Sequence, residues 1–352
     1  MSNYFIVDAH EDIAFNSASS HRDFLKDIQS IRQSEPSSKD SGLTATISLP
    51  ELQKGNVRLV FATLWVAPCG SEMVSSEEPC YSTPDEAYAQ ATSQLKYYLN
   101  LEKLGHIRII RTRTQLRDHL SSENSRKVGF VILMEGADPI RTPAEAEEWF
   151  SSGVRIVGPA WQRTRYSGGT KAPGPLSREG RELVKEMERV GLILDTSHMA
   201  EESFFEALDL FHGNVIASHS NCRVYTPTDR QLSDEMIRAL IDRDAVIGTV
   251  LYNKFLDPDW EKRGKLKKDV NLATVAKHVN HICDLAGDRL HVGIGSDFDG
   301  GFGAEGIPYE LDTVADLQKL GPSLTGFKFS EKDVANYLGR NWVRILDRAL
   351  PD

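Results

Sequence analysis

Nine short apolar runs lie along the chain with a polar, helix-like stretch between most neighbours, and this alternation constrains the fold more than any other feature of the sequence. The runs are Phe5–Val7, Val57–Leu64, Ile107–Ile110, Val128–Leu133, Val154–Val157, Gly191–Leu194, Asn214–Ala217, Ala245–Val250 and His291–Ile294. Nearly continuous apolar runs suit strands buried on both faces, as in a parallel sheet. The stretches between them carry helix-start signals. Thr83-Pro84-Asp85-Glu86 offers an N-cap, a proline at the first helical position and first-turn acids. Thr142-Pro143-Ala144-Glu145 repeats that pattern, Ser177 opens a helix before Gly191, and Ser233-Asp234-Glu235 opens another. Strand–helix alternation over 352 residues favours a closed (β/α)8 TIM barrel, one domain over 1–352, above two doubly wound domains. One run is surplus to eight, and Ile107–Ile110 reads as a short edge piece.

Two stretches are irregular: residues 17–45, rich in Ser and Asp, and residues 67–83, which hold Pro68, Gly70 and Pro79. Both come after a strand and read as long loops on the active face. The formal charge of −10 argues against nucleic acid and anionic membrane as partners. The local cluster Arg108, Arg111 and Arg113 reads as a solvated strand flank. Cys69, Cys80, Cys222 and Cys283 form no CxxC pair and no regular spacing, so neither a thiolate zinc site nor a disulfide framework is expected. The first residues lack a basic, then apolar, leader pattern, and no stretch approaches a membrane span, so the expected compartment is the cytoplasm.

The residues that can carry chemistry stand at the strand ends. His10 and Asp12 come after the first run and Glu135 after the fourth. His198, His219 and Asp297 come after the runs ending at Leu194, Ala217 and Ile294. In a barrel those C-terminal ends converge on one mouth, which is where active sites lie. Three imidazoles and three carboxylates make a nitrogen–oxygen donor set that suits Zn²⁺, and Mn²⁺, Co²⁺ or Fe²⁺ less well. His10 and Asp12 are two apart and so project to one side of an extended chain. One carboxylate can bridge two cations roughly 3.5–4 Å apart. Taken singly, a strand-end histidine is more often structural; six such groups at strand ends point to a shared metal site. His278 and His281 sit three apart on a helix and lack a strand-end carboxylate, which reads as a surface helix. His21, His106, His119, His212 and His291 have no evident partner.

Several segments together resemble the membrane (renal) dipeptidase family of amidohydrolase barrels. They are Val7-Asp8-Ala9-His10-Glu11-Asp12, Met134-Glu135-Gly136-Ala137, Leu194-Asp195-Thr196-Ser197-His198 and Ala217-Ser218-His219-Ser220-Asn221. Further along come Asp229-Arg230-Gln231-Leu232-Ser233-Asp234, Gly293 through Gly300, and Gly339-Arg340-Asn341-Trp342. The resemblance implies a dipeptidase with two zinc ions. His10 and Asp12 would bind one, His198 and His219 the other, and Glu135 would bridge them. Asp297 would hold a metal-bridging hydroxide and shuttle its proton, and Arg230 would pair with the substrate's C-terminal carboxylate. Dipeptides with a C-terminal D-residue fall within that expectation, with a small peptide as partner and a homodimer as the assembly it allows. Tyr252, past the run ending at Val250, joins Arg230 and Trp161 as a candidate substrate contact. The family's carbonyl-polarising histidine is replaced here by Trp161, with Arg163, Arg165 and Tyr166 nearby. This raises the alternative of another small amide, an N-acyl amino acid, a lactam or a lactone. Cys69 matches a family cysteine that is disulfide-linked in secreted members, but no partner for it is evident in the sequence.

Overall fold

The computed structural model describes residues 4–35, 43–71, 79–121 and 127–352. Eight parallel strands run around a nearly closed barrel. In chain order they are β1 (Ile6–Glu11), β2 (Val57–Trp65), β3 (Val128–Glu135), β4 (Val154–Gly158), β5 (Ile193–Asp195), β6 (Val215–Ile216), β7 (Ile247–Thr249) and β8 (Val292–Ile294). Neighbours in sequence are neighbours in the sheet, and β1 pairs with β8 through Asp8 and Ile294. A single parallel bridge, Ala217 to Ile247, closes the ring between β6 and β7. Ile107–Ile109 is indeed an edge strand. It pairs with β3 at Val128–Phe130, below the point where β4 joins at Ile132.

Alternation along the strands separates two buried layers. Val7, Leu59, Phe61, Val131, Leu133, Ile156, Ile193, Ile216 and Val246 form one cluster with Trp342, Ile345 and Leu346 of the helix Asn341–Ala349. These strand residues fill the lower barrel interior. Trp342 plugs it from below, donating its indole N–H to the Ile294 carbonyl at 2.9 Å and packing edge-on against Phe61. The opposite faces of the same strands carry Val60, Ala62, Ile132, Met134, Val157 and Leu194, which pack against the surrounding helices. One step further up the inward rows, Thr63, Glu135 and Asp195 replace the apolar residues, so the polar groups gather at the strand C-termini.

The helix starts obey local chemistry. Thr83 and Glu86 form a reciprocal capping box on Pro84–Lys103, and Ser177 and Ser233 cap Arg178–Val190 and Asp234–Asp242. Thr142-Pro143 departs from the expectation. It opens a 3-10 turn, Pro143–Glu145, and the α-helix proper is Ala146–Ser151. The stretch 17–45 is also more ordered than a loop: Ile13–Ser19 and Ile28–Ser34 are helices, the second capped by Asp27. Residues 36–42 of that stretch, and 72–78 of the other, lie outside the described residues.

Two expectations are overturned. Cys69 and Cys80 are disulfide-bonded. Ala67–Pro68 and Cys80–Tyr81 form a two-stranded parallel pair that brings the two Cα atoms to 4.9 Å, a juxtaposition that residue spacing alone does not reveal. Such a link is uncommon in a reducing cytoplasm. His278 is not on a surface face: it is 1% exposed, accepts a hydrogen bond from the Cys222 backbone N–H and bonds the Leu256 carbonyl. Burial holds its imidazole down at about 4. His281 faces outward and meets Asp234 at 2.8 Å. His119 and His291 have partners after all, in the carbonyls of Arg58 and Ala245. In the basic cluster, Arg111 is ion-paired with Glu102 and Arg113 with Asp352. Among the described residues no helix is long and apolar enough to cross a membrane.

Candidate metal centre and its pocket

The six strand-end residues meet at the barrel mouth. Glu135, the last residue of β3, sits at the middle. One of its oxygens lies 3.0 Å from His198 Nε2 and 3.4 Å from His219 Nε2; the other lies 3.4 Å from His10 Nε2. His198 Nε2 and His219 Nε2 are themselves 3.0 Å apart. On the other side His10, Asp12 and Asp297 bring donor atoms within 4.8 Å of one another, with Asp297 Oδ1 3.9 Å from His10 Nε2. Asp195 joins His10 and His219 in a further close trio, a residue that the strand-end reading passed over although it ends β5.

Local backbone explains several placements. β1 runs through His10, so this candidate ligand lies within the strand rather than after it, and the register shifts between Asp8 and Glu11. His198 and Asp297 both have left-handed backbone, with φ of 66° and 60°. Non-glycine residues rarely adopt it, and functional sites are where such strain collects. The Asp297 N–H donates to the His10 carbonyl at 3.2 Å, tying the end of β8 to β1. The Thr63 hydroxyl donates to Asp12, and Thr170 Oγ1 meets His198 Nδ1 at 3.0 Å.

The charges in this cluster conflict. Burial opposes charge on His10, but Glu135, Asp12 and Asp297 more than offset it and hold the imidazole up at about 10. Burial, with Glu135 next, pushes Asp12 up to about 6, and burial raises Asp297 well above the usual carboxylate range. Burial and the nearby Arg230 hold His198 down at about 4. His10 Nε2 has no hydrogen-bond partner despite complete burial. Divalent cations resolve each conflict, because they favour ionised carboxylates and neutral imidazoles with free lone pairs. The donor set therefore fits metal.

Above the cluster opens a cavity of about 290 Å³. Arg230, 4% exposed, forms part of its wall. It donates to the His219 carbonyl at 2.8 Å and to Ser220 at 3.3 Å, lies over the Phe255 ring, and keeps its Nε without a partner. Trp161 lines the cavity and meets Trp65 edge-on at 5.0 Å; Trp65 meets Phe15 at 4.4 Å. Tyr252 lines the other side, stacked on Phe302 at 4.3 Å. Of the alternative donors near Trp161, Arg163 donates to the Pro173 carbonyl, while Arg165 and Tyr166 are bonded to the Ile140 carbonyl. The sequence reading missed Phe15 and Trp65. Extending the inward series Leu59, Phe61, Thr63 by two residues would have reached Trp65.

A hairpin of Ser167–Gly169 and Ala172–Leu176 forms one rim. It is pinned at glycines: a Cβ on Gly169 would lie 2.2 Å from the Gln162 carbonyl oxygen, and one on Gly180, just beyond, 2.0 Å from that of Tyr166. Its tip carries Thr170 and Lys171, and the Lys171 N–H donates to Asp229 at 2.7 Å.

Known proteins share this fold. Dipeptidase AC, a metallopeptidase of family M19, superposes with a TM-score of 0.80 at 24% identity, over 100% of both chains. A Rhodobacter sphaeroides metallopeptidase, solved with a phosphinate mimic of the dipeptide L-Ala-D-Ala, gives 0.79 at 23% identity, over 98% of this chain and 99% of that one. At those identities the likeness establishes the fold. An uncharacterised Klebsiella pneumoniae protein is 30% identical over 57% of this chain and 74% of its own length. Dipeptidase verJ of Clonostachys rogersoniana is 31% identical over 63% of this chain and 56% of its own. Apart from the Klebsiella protein, the match spans only about 38–60% of each of these curated relatives. The model of one family, the membrane dipeptidases of peptidase family M19, matches residues 1–350, and the chain belongs to that family.

Proposed function

We propose that the chain, acting as one catalytic domain, is a metal-dependent dipeptidase that hydrolyses the peptide bond of small dipeptides, including those with a C-terminal D-residue. The observation that carries this reading is the convergence of three imidazole nitrogens on the two oxygens of Glu135 at 3.0–3.4 Å, beneath a cavity with a buried arginine on its wall. His10 and Asp12 would hold one zinc, His198 and His219 the other, and Glu135 would bridge. When bound, the two cations supply Lewis acidity, bringing water toward neutral pKa and polarising a carbonyl.

The protein's own groups do the rest. Arg230, buried in the cavity wall, would pair with a substrate carboxylate, for which a guanidinium is suited. Fixing that end lowers the entropic part of the barrier. Asp297, at the cluster's edge, takes a proton from the attacking water and returns it to the leaving amine. Phe15, Trp65 and Trp161 form an apolar wall against which the substrate's N-terminal side chain packs, and Tyr252 closes the opposite side.

Trp161 supports a second reading. An indole donates one N–H and cannot accept, and it fills more space than imidazole. A flat or apolar acyl group on an N-acyl amino acid, a lactam or a lactone would pack there. Turnover of a dipeptide panel with added Zn²⁺, run beside N-acyl amino acids, separates the two. Activity confined to the acyl substrates would reject dipeptide cleavage, and no turnover of either class would reject both readings.

A further inference from the structure

We propose that Ser218 is a positioning residue shared by both metal sites, its single hydroxyl setting the orientation and tautomer of His10 and His219 together. This rests on the reading above that both rings ligate through Nε2. Ser218 lies just past the end of β6, fully buried. Its Oγ is 2.5 Å from Asp195 Oδ2, 2.8 Å from His219 Nδ1 and 3.3 Å from His10 Nδ1. A longer contact of 3.4 Å reaches Ser197.

A hydroxyl has one proton and two acceptor lone pairs. Asp195 is a pure acceptor in this setting: its Oδ1 already takes the Ser218 N–H at 2.8 Å and the Ser197 N–H at 3.1 Å. The hydroxyl proton therefore goes to Asp195 Oδ2. Both lone pairs are left to accept, and the two groups facing them are the Nδ1 atoms of His219 and His10. Each ring must carry its proton on Nδ1, which leaves Nε2 bare. Those bare nitrogens are the ones that point at Glu135. The rings are stacked at 3.6 Å, so neither can turn without the other. The hydroxyl's capacity is fully used, and one side chain dictates ligand geometry on both sides of the bridging carboxylate.

Asp195 then controls polarity. In Asp195→Asn the amide oxygen can keep the two backbone N–H groups, and the NH₂ takes the Oδ2 position and donates to Ser218. The hydroxyl proton then turns to the nearer acceptor, His219 Nδ1 at 2.8 Å rather than Ser197 at 3.4 Å, and that ring takes the Nε2–H form and can no longer ligate. His198 is outside this arrangement, since its Nδ1 is served by Thr170.

The test is zinc affinity at each site, by chelator competition on the metal-stripped full chain, with the folded state of each variant checked by circular dichroism. Outer partners of metal-bound histidine typically contribute about 10–100-fold in affinity. Ser218→Ala should lose that at both sites, Asp195→Asn should lose one site, and Thr170→Val should weaken one site. Zinc-loaded wild type, ¹⁵N-labelled at histidine, should show Nδ1–H signals for His10 and His219. Nε2–H signals for either ring would overturn the proposal even if no variant folds. Folded Ser218→Ala with both affinities intact, or with loss at one site alone, would overturn it as well. A wild type that takes up no zinc would instead remove the ligand reading on which the proposal rests.

Discussion

The two sides of the barrel mouth are held by different means. On the side of β1, β2 and β8, the barrel itself holds the donors. His10 lies within β1, Asp12 takes a bond from Thr63 of β2, and the Asp297 N–H closes onto the His10 carbonyl. On the side of β4 and β5, His198 stands beyond its strand and leans on Thr170 at a hairpin tip. That hairpin and the segment before it also bring Trp161, Gln162 and Lys171 to the cavity. The contrast is one of support: on one side the donors are fixed by parts that cannot move independently, and on the other a hairpin tip both steadies His198 and helps shape the cavity, whose wall Phe15 and Trp65 complete from the first side.

The largest break should come from the group common to both sides. Glu135→Gln should lower bound zinc to one ion or fewer per chain, read by elemental analysis, and reduce turnover by at least ~10³-fold, as when transition-state electrostatics are lost. Full zinc retention would mean that the two sides do not meet at this carboxylate. Arg230→Met should cost about 2–5 kcal/mol in kcat/KM for substrates with a free carboxylate, and much less for their amides. Equal losses in both classes would make Arg230 a structural support for the His219 loop.

A matched pair sharpens the comparison. Thr63→Val and Thr170→Val each remove one hydroxyl from one ligand, and each should weaken a single zinc by roughly 10–100-fold. If the hairpin side also governs recognition, KM should rise in the Thr170 variant and stay level in the Thr63 variant once both are saturated with zinc. The smallest effect should be Trp161→His. It should raise L,L-dipeptide turnover by up to about tenfold, a fraction of what one oxyanion donor is worth, at unchanged zinc content. No change in substrate preference would show that Trp161 acts only as packing against Trp65.

The candidate donors are legible on both sides. Strands buried on both faces leave continuous apolar runs in the sequence, and a donor within or just past such a run needs no long-range information to be noticed; His10, Asp12, Glu135, His198, His219 and Asp297 are all of this kind. The surplus run resolves for a related reason: Ile107–Ile109 meets β3 only where β4 has not yet joined. The hidden features depend on register between distant segments. The Thr170 hydroxyl gains its meaning only when its hairpin lies against the segment after β5, and that of Ser218 only when β5 and β6 lie side by side. Cys69 finds Cys80 only because two short extended pieces pair, and His278 turns inward because of what packs over its helix.

The glycine contacts under the hairpin bear on how such a site can change over generations. With Gly169 set against Gln162 and Gly180 against Tyr166, side chains at those two positions have no room, whereas the tip between the strands faces the cavity and solvent. Heritable variation is thus channelled: lineages can explore new specificities at the tip while the base stays frozen. A saturation library over 160–180 should accordingly yield viable members at 171, few at 170, where the hydroxyl serves His198, and almost none at the two glycines.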